Sequence, residues 1–141
     1  MAVLAAVSGN KSPDDVVTVA NNLAKAHGEE LLVLHALPEE SFEQRAESAD
    51  DYFRDDAVHD AKQVAQRIVE ETLGNTDGAR LLGRIGTPAS AILDTVGERN
   101  PTYIVIGSRK RTPVGKALLG STTQSVMLHT DVPVVAVPEE E

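Results

Sequence analysis

Short, unbroken apolar runs alternate along the chain with segments whose apolar residues recur every three or four positions. Residues 2–7 (AVLAAV) form the first run. It is too short for a buried helix and is closed by Ser8, Gly9 and Asn10, which predicts a buried strand. Ser12 then suits a helix N-cap, with Pro13 at the first helical position and Asp15 in the first turn. Val16, Ala20, Leu23 and His27 follow at helical spacing, and Gly28 supplies the stop. A second strand is predicted over 31–37 (LLVLHAL), closed by Pro38. Residues 39–56 are acidic and weakly periodic, and read as a mobile loop or the frayed start of a helix. As the least ordered part of the chain, this segment is expected to cover or flank a site. Val58, Ala61, Ala65, Ile68 and Thr72 mark a long amphipathic helix that stops at Gly74. The pattern continues with a strand over Ala79–Ile85 and a helix opened by Thr87-Pro88, with Ile92, Leu93 and Val96 facing inward. That helix ends at Asn100-Pro101, and a strand over 103–107, a short helix from Ser121 and a last strand over 132–137 complete the chain.

Strand and helix alternate throughout, which predicts an α/β fold: a five-stranded, doubly wound parallel sheet with right-handed crossovers and helices on both faces. The whole chain, 1–141, is the length of one domain. Ligands of such sheets bind beyond the carboxyl ends of the strands. Three segments therefore converge on one candidate site: Ser8-Gly9-Asn10, His35-Ala36 and the loop that starts at Gly107.

Composition narrows the function. With 41% hydrophobic and 25% charged residues the chain is globular in character, and no stretch approaches the 18 consecutive apolar residues of a membrane span. The beginning, MAVLAAVSGN, has no basic region of the kind that opens a secretory signal, and the chain contains no cysteine. The expectation is a soluble, cytoplasmic protein without thiol chemistry. A formal net charge of −9 argues against nucleic acid as a partner, because neutralising phosphates requires a basic surface. Positive charge is nonetheless concentrated locally. Residues 107–122, GSRKRTPVGKALLGST, hold four of the 13 Lys and Arg residues, and no acidic residue lies between Arg99 and Thr130.

That loop can be a phosphate site or a solvated turn. Gly107 ends a strand and admits close approach of a ligand, and Gly120, Ser121 and Thr122 open a helix whose free N–H groups favour an anion. The competing reading of Ser121 is a helix cap, since Gln124 three positions on completes the spacing of a capping box. Known phosphate motifs do not fit. Around Gly115-Lys116 the Walker pattern would need glycine at Lys110 and a hydroxyl at Ala117, and no G-x-G-x-x-G follows a strand. VSGNKS departs from the S-G-G-x-D-S loop of ATP pyrophosphatases at Asn10, Ser12 and Pro13.

Read as one unit, YIVIGSRKRTPVGKALLGSTTQSV followed by DVPVVAV resembles the carboxyl-terminal signature of the universal stress protein family. VLAAVSG, LLVLHAL and GRIGTPASAILDTV resemble its earlier segments, so the likeness spans nearly the whole chain. The resemblance implies a Rossmann-like fold of the adenine nucleotide alpha hydrolase type, with strand order 3-2-1-4-5. It also implies a site for ATP, ADP or AMP, with Mg²⁺ able to accompany the nucleotide. Its ATP-binding members carry glycine, two residues, glycine, nine residues, then glycine with serine or threonine; these positions fall here on Gly107, Lys110 and Gly120-Ser121. By the same resemblance Val7 and Ala36 face the base, and Arg109 and Thr122 lie near the phosphates. Two positions depart from the pattern. Lys110 replaces the second glycine, adding a side chain to the loop but also a charge beside the expected phosphates. Ser8 stands where an aspartate lies near the ribose, and offers one hydroxyl in place of paired acceptors. The resemblance also implies a homodimer through the last strand, where Val132, Val134, Val135 and Val137 make an apolar edge bracketed by Pro133 and Pro138.

Nothing in the chain identifies an enzyme. No nucleophile has an adjacent base, and His27, His35, His59 and His129 share no ligand spacing; only His35 approaches the site. The acids around Asp50-Asp51 and Asp55-Asp56 read as a solvated run and not as a metal site. The expectation is a nucleotide-binding stress-response module with at most weak ATPase activity and no catalytic or metal-ligating residue. The alternative is a dimeric interaction or signalling protein of the same fold that binds no nucleotide.

Overall fold

A computed structural model describes residues 1–108 and 119–138. The strands are β1 (Ala2–Ala6), β2 (Glu30–Leu37), β3 (Ala79–Ile85), β4 (Tyr103–Ser108) and β5 (Val134–Pro138); the helices are α1 (Asp15–His27), α2 (Glu39–Ser48), α3 (Arg54–Leu73), α4 (Pro88–Arg99) and α5 (Ser121–His129). All neighbouring strands pair in parallel, in the order β3-β2-β1-β4-β5. This is the predicted doubly wound sheet with the predicted strand order.

The unbroken apolar runs follow from burial on both faces. Val3, Ala5, Leu31, Val33 and Val105 pack with Val16, Val17 and Ala20 of α1 and with Ile68 and Val69 of α3. The alternate positions, Leu4, Leu32, Leu34, Ile104 and Ile106, pack on the other face with Ala91 and Ile92 of α4 and Val126 of α5. Within α4, Ala91, Ile92 and Thr95 are buried, whereas Leu93 and Val96 are only half-buried. Val58, one of the periodic apolar residues of α3, is exposed. Strand β5 starts at Val134, two residues later than expected, and the Pro133 carbonyl accepts a hydrogen bond from the Ile104 amide at 3.0 Å. Among the described residues no helix is long and apolar enough to cross a membrane.

Two local expectations are corrected. Asp14, not Ser12, caps α1: its side chain accepts from the Val16 amide at 2.9 Å, and its own amide donates to Thr72 Oγ1 at 3.0 Å. Ser12 instead donates to the Glu71 carboxylate. The hydroxyl of α3 thus places the cap two residues further on than the local pattern suggests. Burial raises the pKa of the Asp14 carboxyl, and the hydrogen bond from Val16 offsets part of the rise.

The second correction concerns residues 39–56: of the two readings, loop or start of a helix, the loop gives way to helix α2 over Glu39–Ser48, a short connection and the start of α3 at Arg54. Helix α2 buries none of its residues, which is why its apolar period is weak. It is held by side chains distant in sequence. Arg54 pairs with Glu39 at 2.7 Å and stacks 5.0 Å from the Phe42 ring centroid, while Asp60 accepts from Arg45 at 3.1 Å and from the Tyr52 hydroxyl at 2.7 Å. The bond from Arg54 lowers the pKa of the Glu39 carboxyl. A small apolar cluster of Leu37, Ala57 and Ala61, with Phe42, Tyr52 and Ile85 against it, lies beneath.

Helix α3 rests directly on the edge strand β3 at Gly83. A Cβ built there would lie 2.7 Å from the Lys62 amide nitrogen and closer still to the Val58 carbonyl oxygen, so backbone meets backbone with no flexible side chain to yield. Gly83→Ala is expected to destabilise the fold by about 1–3 kcal/mol, the usual cost of overpacking a tight contact. Urea unfolding measures it. A change smaller than about 0.5 kcal/mol, the scale of an ordinary surface substitution, would show that α3 can move off the strand freely.

Candidate functional site

A cleft of about 460 Å³ opens at the carboxyl ends of β1, β2 and β4. After β1 the chain builds outward through β2 and β3, and only later returns to add β4 and β5 on the other side. The cleft therefore lies at the point where strand order reverses, which is the position general to open α/β sheets. Its apolar wall comes from Leu34, Ile106, Pro88 and Ile92, and its polar rim from Ser8, Asn10, His35 and Thr122.

Val7, Ser8, Ala36, Gly107 and Thr122 all line this cleft, so the fold brings together residues from four separate places in the sequence. Gly120 and Ser121 begin α5 beside Thr122. Arg109 and Lys110 lie outside the described residues.

The loop after β1 is held chiefly by side chains. Val7 extends the pairing with β2 through its amide, which donates to the Leu34 carbonyl at 2.9 Å. Its carbonyl lies 3.0 Å from His35 Nδ1, and the Asn10 amide donates to Ser8 Oγ at 3.3 Å. Arg67, from α3, donates to the Gly9 carbonyl at 3.3 Å. Ser8 is exposed and its hydroxyl already accepts this bond from its own loop.

The start of α5 differs from the expected capping box. Gly120 is the N-cap and has no side chain to offer, and Ser121 is the first helical residue. Gln124 turns its amide to the Leu119 carbonyl at 2.9 Å. The first amides of α5 thus lack a side-chain cap among the described residues, in contrast to α1, capped by Asp14, and α4, where Thr87 Oγ1 accepts from Ser90 at 3.3 Å. Thr123 is buried and donates its hydroxyl to the Gly107 carbonyl at 2.8 Å, tying the helix start to the end of β4.

Thr123, Arg67, Pro88 and Ile92 were not legible as site residues. Thr123 carries the one usable signal, a second hydroxyl in GSTT, but its partner lies 16 residues away in sequence. Two of the other histidines are engaged elsewhere: His27 packs against Tyr103 with ring centroids 5.4 Å apart, and His129 Nδ1 lies 2.7 Å from the Ser125 carbonyl. Among the described residues no group of three or more His, Cys, Asp or Glu side chains could hold a metal. A larger groove, about 540 Å³, follows the outer edge of β3. It lies at the outer strand of the sheet, away from the switch point, and its Arg54 and Arg84 are already paired with Glu39 and Glu98, so the smaller cleft is the better candidate.

Fold and cleft together define a doubly wound α/β module with a cleft at its switch point. The chain belongs to the universal stress protein family, whose family model matches residues 1–138. It is 31% identical over 140 residues to the universal stress protein in the QAH/OAS sulfhydrylase 3′ region of Thermus aquaticus, covering 96% of each chain. A universal stress protein structure from Archaeoglobus fulgidus is similar with a TM-score of 0.62 and 24% identity, over 97% of this chain and 98% of that one. The universal stress protein from the same organism in complex with dAMP gives a TM-score of 0.59 and 20% identity, over 97% of both chains.

The turn after β1 tolerates no side chain at Gly9. Its φ is 83°, and a Cβ there would lie 3.0 Å from both His35 Cε1 and Val64 Cγ1. Gly9→Ala combines left-handed backbone strain with this contact, and is expected to cost about 1–3 kcal/mol. Thermal unfolding of the variant checks it; an unchanged transition would mean that the turn is not held in this conformation.

Proposed function

We propose that the cleft binds an adenine nucleotide, ATP or its di- or monophosphate, and that the protein is a nucleotide-responsive stress module with no catalytic residue of its own. The observation that carries this reading is the placement of the uncapped α5 start beside an apolar slot at the switch point. A planar base suits the slot formed by Leu34, Ile106, Pro88 and Ile92, near the backbones of Val7 and Ala36. Phosphates suit the amides of Gly120, Ser121 and Thr122, where the helix dipole favours negative charge. Gly107 lets the chain approach them closely, and Arg109 and Lys110 supply positive charge from a loop that is basic in a chain of net charge −9. Ser8 reaches the ribose with a hydroxyl, so recognition of the nucleoside is the weaker part. The dAMP complex of the Archaeoglobus fulgidus relative supports an AMP-type ligand. No carboxylate lines the cleft among the described residues, so Mg²⁺ would arrive held by the phosphates and not by the protein. A cytoplasmic setting suits a chain without cysteine and belongs to the same proposal.

Nucleotide at about a hundred times its dissociation constant stabilises a fold by about 2.7 kcal/mol. ATP should therefore raise the melting temperature by several degrees and adenosine by far less. Ser121→Glu should remove the ATP effect by placing like charge at the helix start. If neither ATP nor any other polyphosphate shifts the transition at low salt, the reading fails and the alternative of a nucleotide-free interaction protein takes its place.

Homodimer formation through the last strand belongs to either reading. Strand β5 is an outer strand of the sheet, Val134, Val135 and Ala136 are only half-buried, and the preceding helix exposes Met127 and Leu128. Unpaired apolar edges of this kind invite pairing. Light scattering at micromolar concentration should give twice the chain mass; a monomer would refute the dimer.

A further inference from the structure

The groove of about 540 Å³ at the outer edge of β3 has a floor and two walls of different origin. Gly83 and Ile85 belong to its floor, Asp55 and Val58 of α3 to one wall, and Arg99 of α4 to the other. Strand β3 ends the sheet and pairs only with β2. In a parallel ladder the amides and carbonyls of alternate residues point to the same side. The Gly86 amide donates to the Leu37 carbonyl of β2 at 2.8 Å, so the main-chain groups of Leu82 and Arg84 also face β2, and those of Gly83 and Ile85 face outward into the groove. Among the described residues no turn or loop backbone satisfies them. Helices α3 and α4 pack on opposite faces of the sheet, so a row of main-chain donors and acceptors lies open between two helices.

We propose that this groove is a docking site for an extended segment of a partner protein, which adds to β3 as a further strand of the sheet. Main-chain pairing dictates the extended form, and side chains select the sequence. An added strand alternates its side chains between the two walls. Asp55 and Arg99 have no ion-pair partner among the described residues, whereas Arg54 and Arg84 are taken by Glu39 and Glu98, and Val58 is exposed. The segment that fits therefore turns basic and apolar side chains towards α3 and acidic ones towards α4. A second copy of the chain fits poorly. Pairing two β3 strands edge to edge would bring the helices of both copies into a space walled for one strand, and would set the faces that carry Arg80 and Arg84 side by side. The proposal is independent of the cleft and its ligand.

The test uses the full chain and a capped peptide of two Val-Glu-Lys-Thr repeats, whose Val and Lys side chains lie on one face of a strand and whose Glu and Thr side chains lie on the other. Amide exchange read by NMR should find Gly83 and Ile85 exchanging faster than Leu82 and Arg84 in the protein alone. Saturating peptide should slow Gly83 and Ile85 by about tenfold or more. Two methylated peptides probe the backbone, one N-methylated at Val and Lys and the other at Glu and Thr. One should bind and the other should not, because only one edge of an added strand faces β3. Charge is probed with a peptide in which both Glu are replaced by Lys. The ratio of its affinity to that of the parent peptide should rise about fivefold in Arg99→Glu, the scale of one exposed charge pair. Unchanged exchange at Gly83 and Ile85 with millimolar peptide, equal effects of the two methylation patterns, or a ratio that Arg99→Glu leaves unaltered would overturn the proposal. Protection of Gly83 and Ile85 that grows with protein concentration in the absence of peptide would overturn it in favour of a second copy at this edge.

Discussion

Everything in this molecule depends on burying a parallel sheet on both faces. Leu4, Leu32, Leu34 and Ile104 are shielded on one face, and Val3, Val33 and Val105 on the other. Each large side chain so buried contributes about 1.5–3 kcal/mol against the entropy of ordering the chain. The strands consequently have no room for polar chemistry along their length. Polar groups can occur only where strands end, and the parallel arrangement brings those ends to one rim.

At that rim the ladder stops supplying hydrogen-bond partners, and side chains take over. His35, Arg67, Glu71, Thr72 and Thr123 engage Val7, Gly9, Ser12, Asp14 and Gly107 in turn. Three of these five groups come from α3, so the helix that covers one face of the sheet also shapes the turn after β1. Buried or half-buried backbone groups cost free energy when left unpaired, which explains why the cleft is framed by such contacts and not by free loops. The start of α5 lacks such a contact: glycine at its N-cap leaves its first amides without a side-chain cap among the described residues.

Electrostatics divides the molecule differently. The acidic segment after β2 is ordered by pairing its own charges, Arg54 with Glu39 and Arg45 with Asp60. These pairs are exposed, and exposed ion pairs are weak and screened by salt. Helix α2, with no buried residue, is thus attached more loosely than α3, whose Ala61, Ala65, Ile68 and Val69 are buried. Pro38, which lines the cleft, immediately precedes α2, so the least buried of the described helices adjoins the cleft.

The sequence by itself determined the alternation of elements, the parallel sheet, the helix stops at Gly28 and Gly74 and the rim on which a site must lie. Each of these follows from local period, from backbone preference or from the topology that alternation imposes. It also carried the family resemblance, including Gly107 and Gly120-Ser121. Only the tertiary structure decided that Asp14 and not Ser12 caps α1, because Thr72, 58 residues away, meets the Asp14 amide. It likewise decided that residues 39–56 contain a helix, since the partners that hold α2 lie on α3, and that Ser121 begins its helix without capping it. His35 was already placed at the rim by the sequence, whereas the tie of Thr123 to Gly107 and the places of Pro88 and Ile92 in the cleft became legible only once β1, β2, β4, α4 and α5 were placed together. Local preference reads neighbours along the chain, whereas these roles are set by partners that folding alone brings within hydrogen-bond distance.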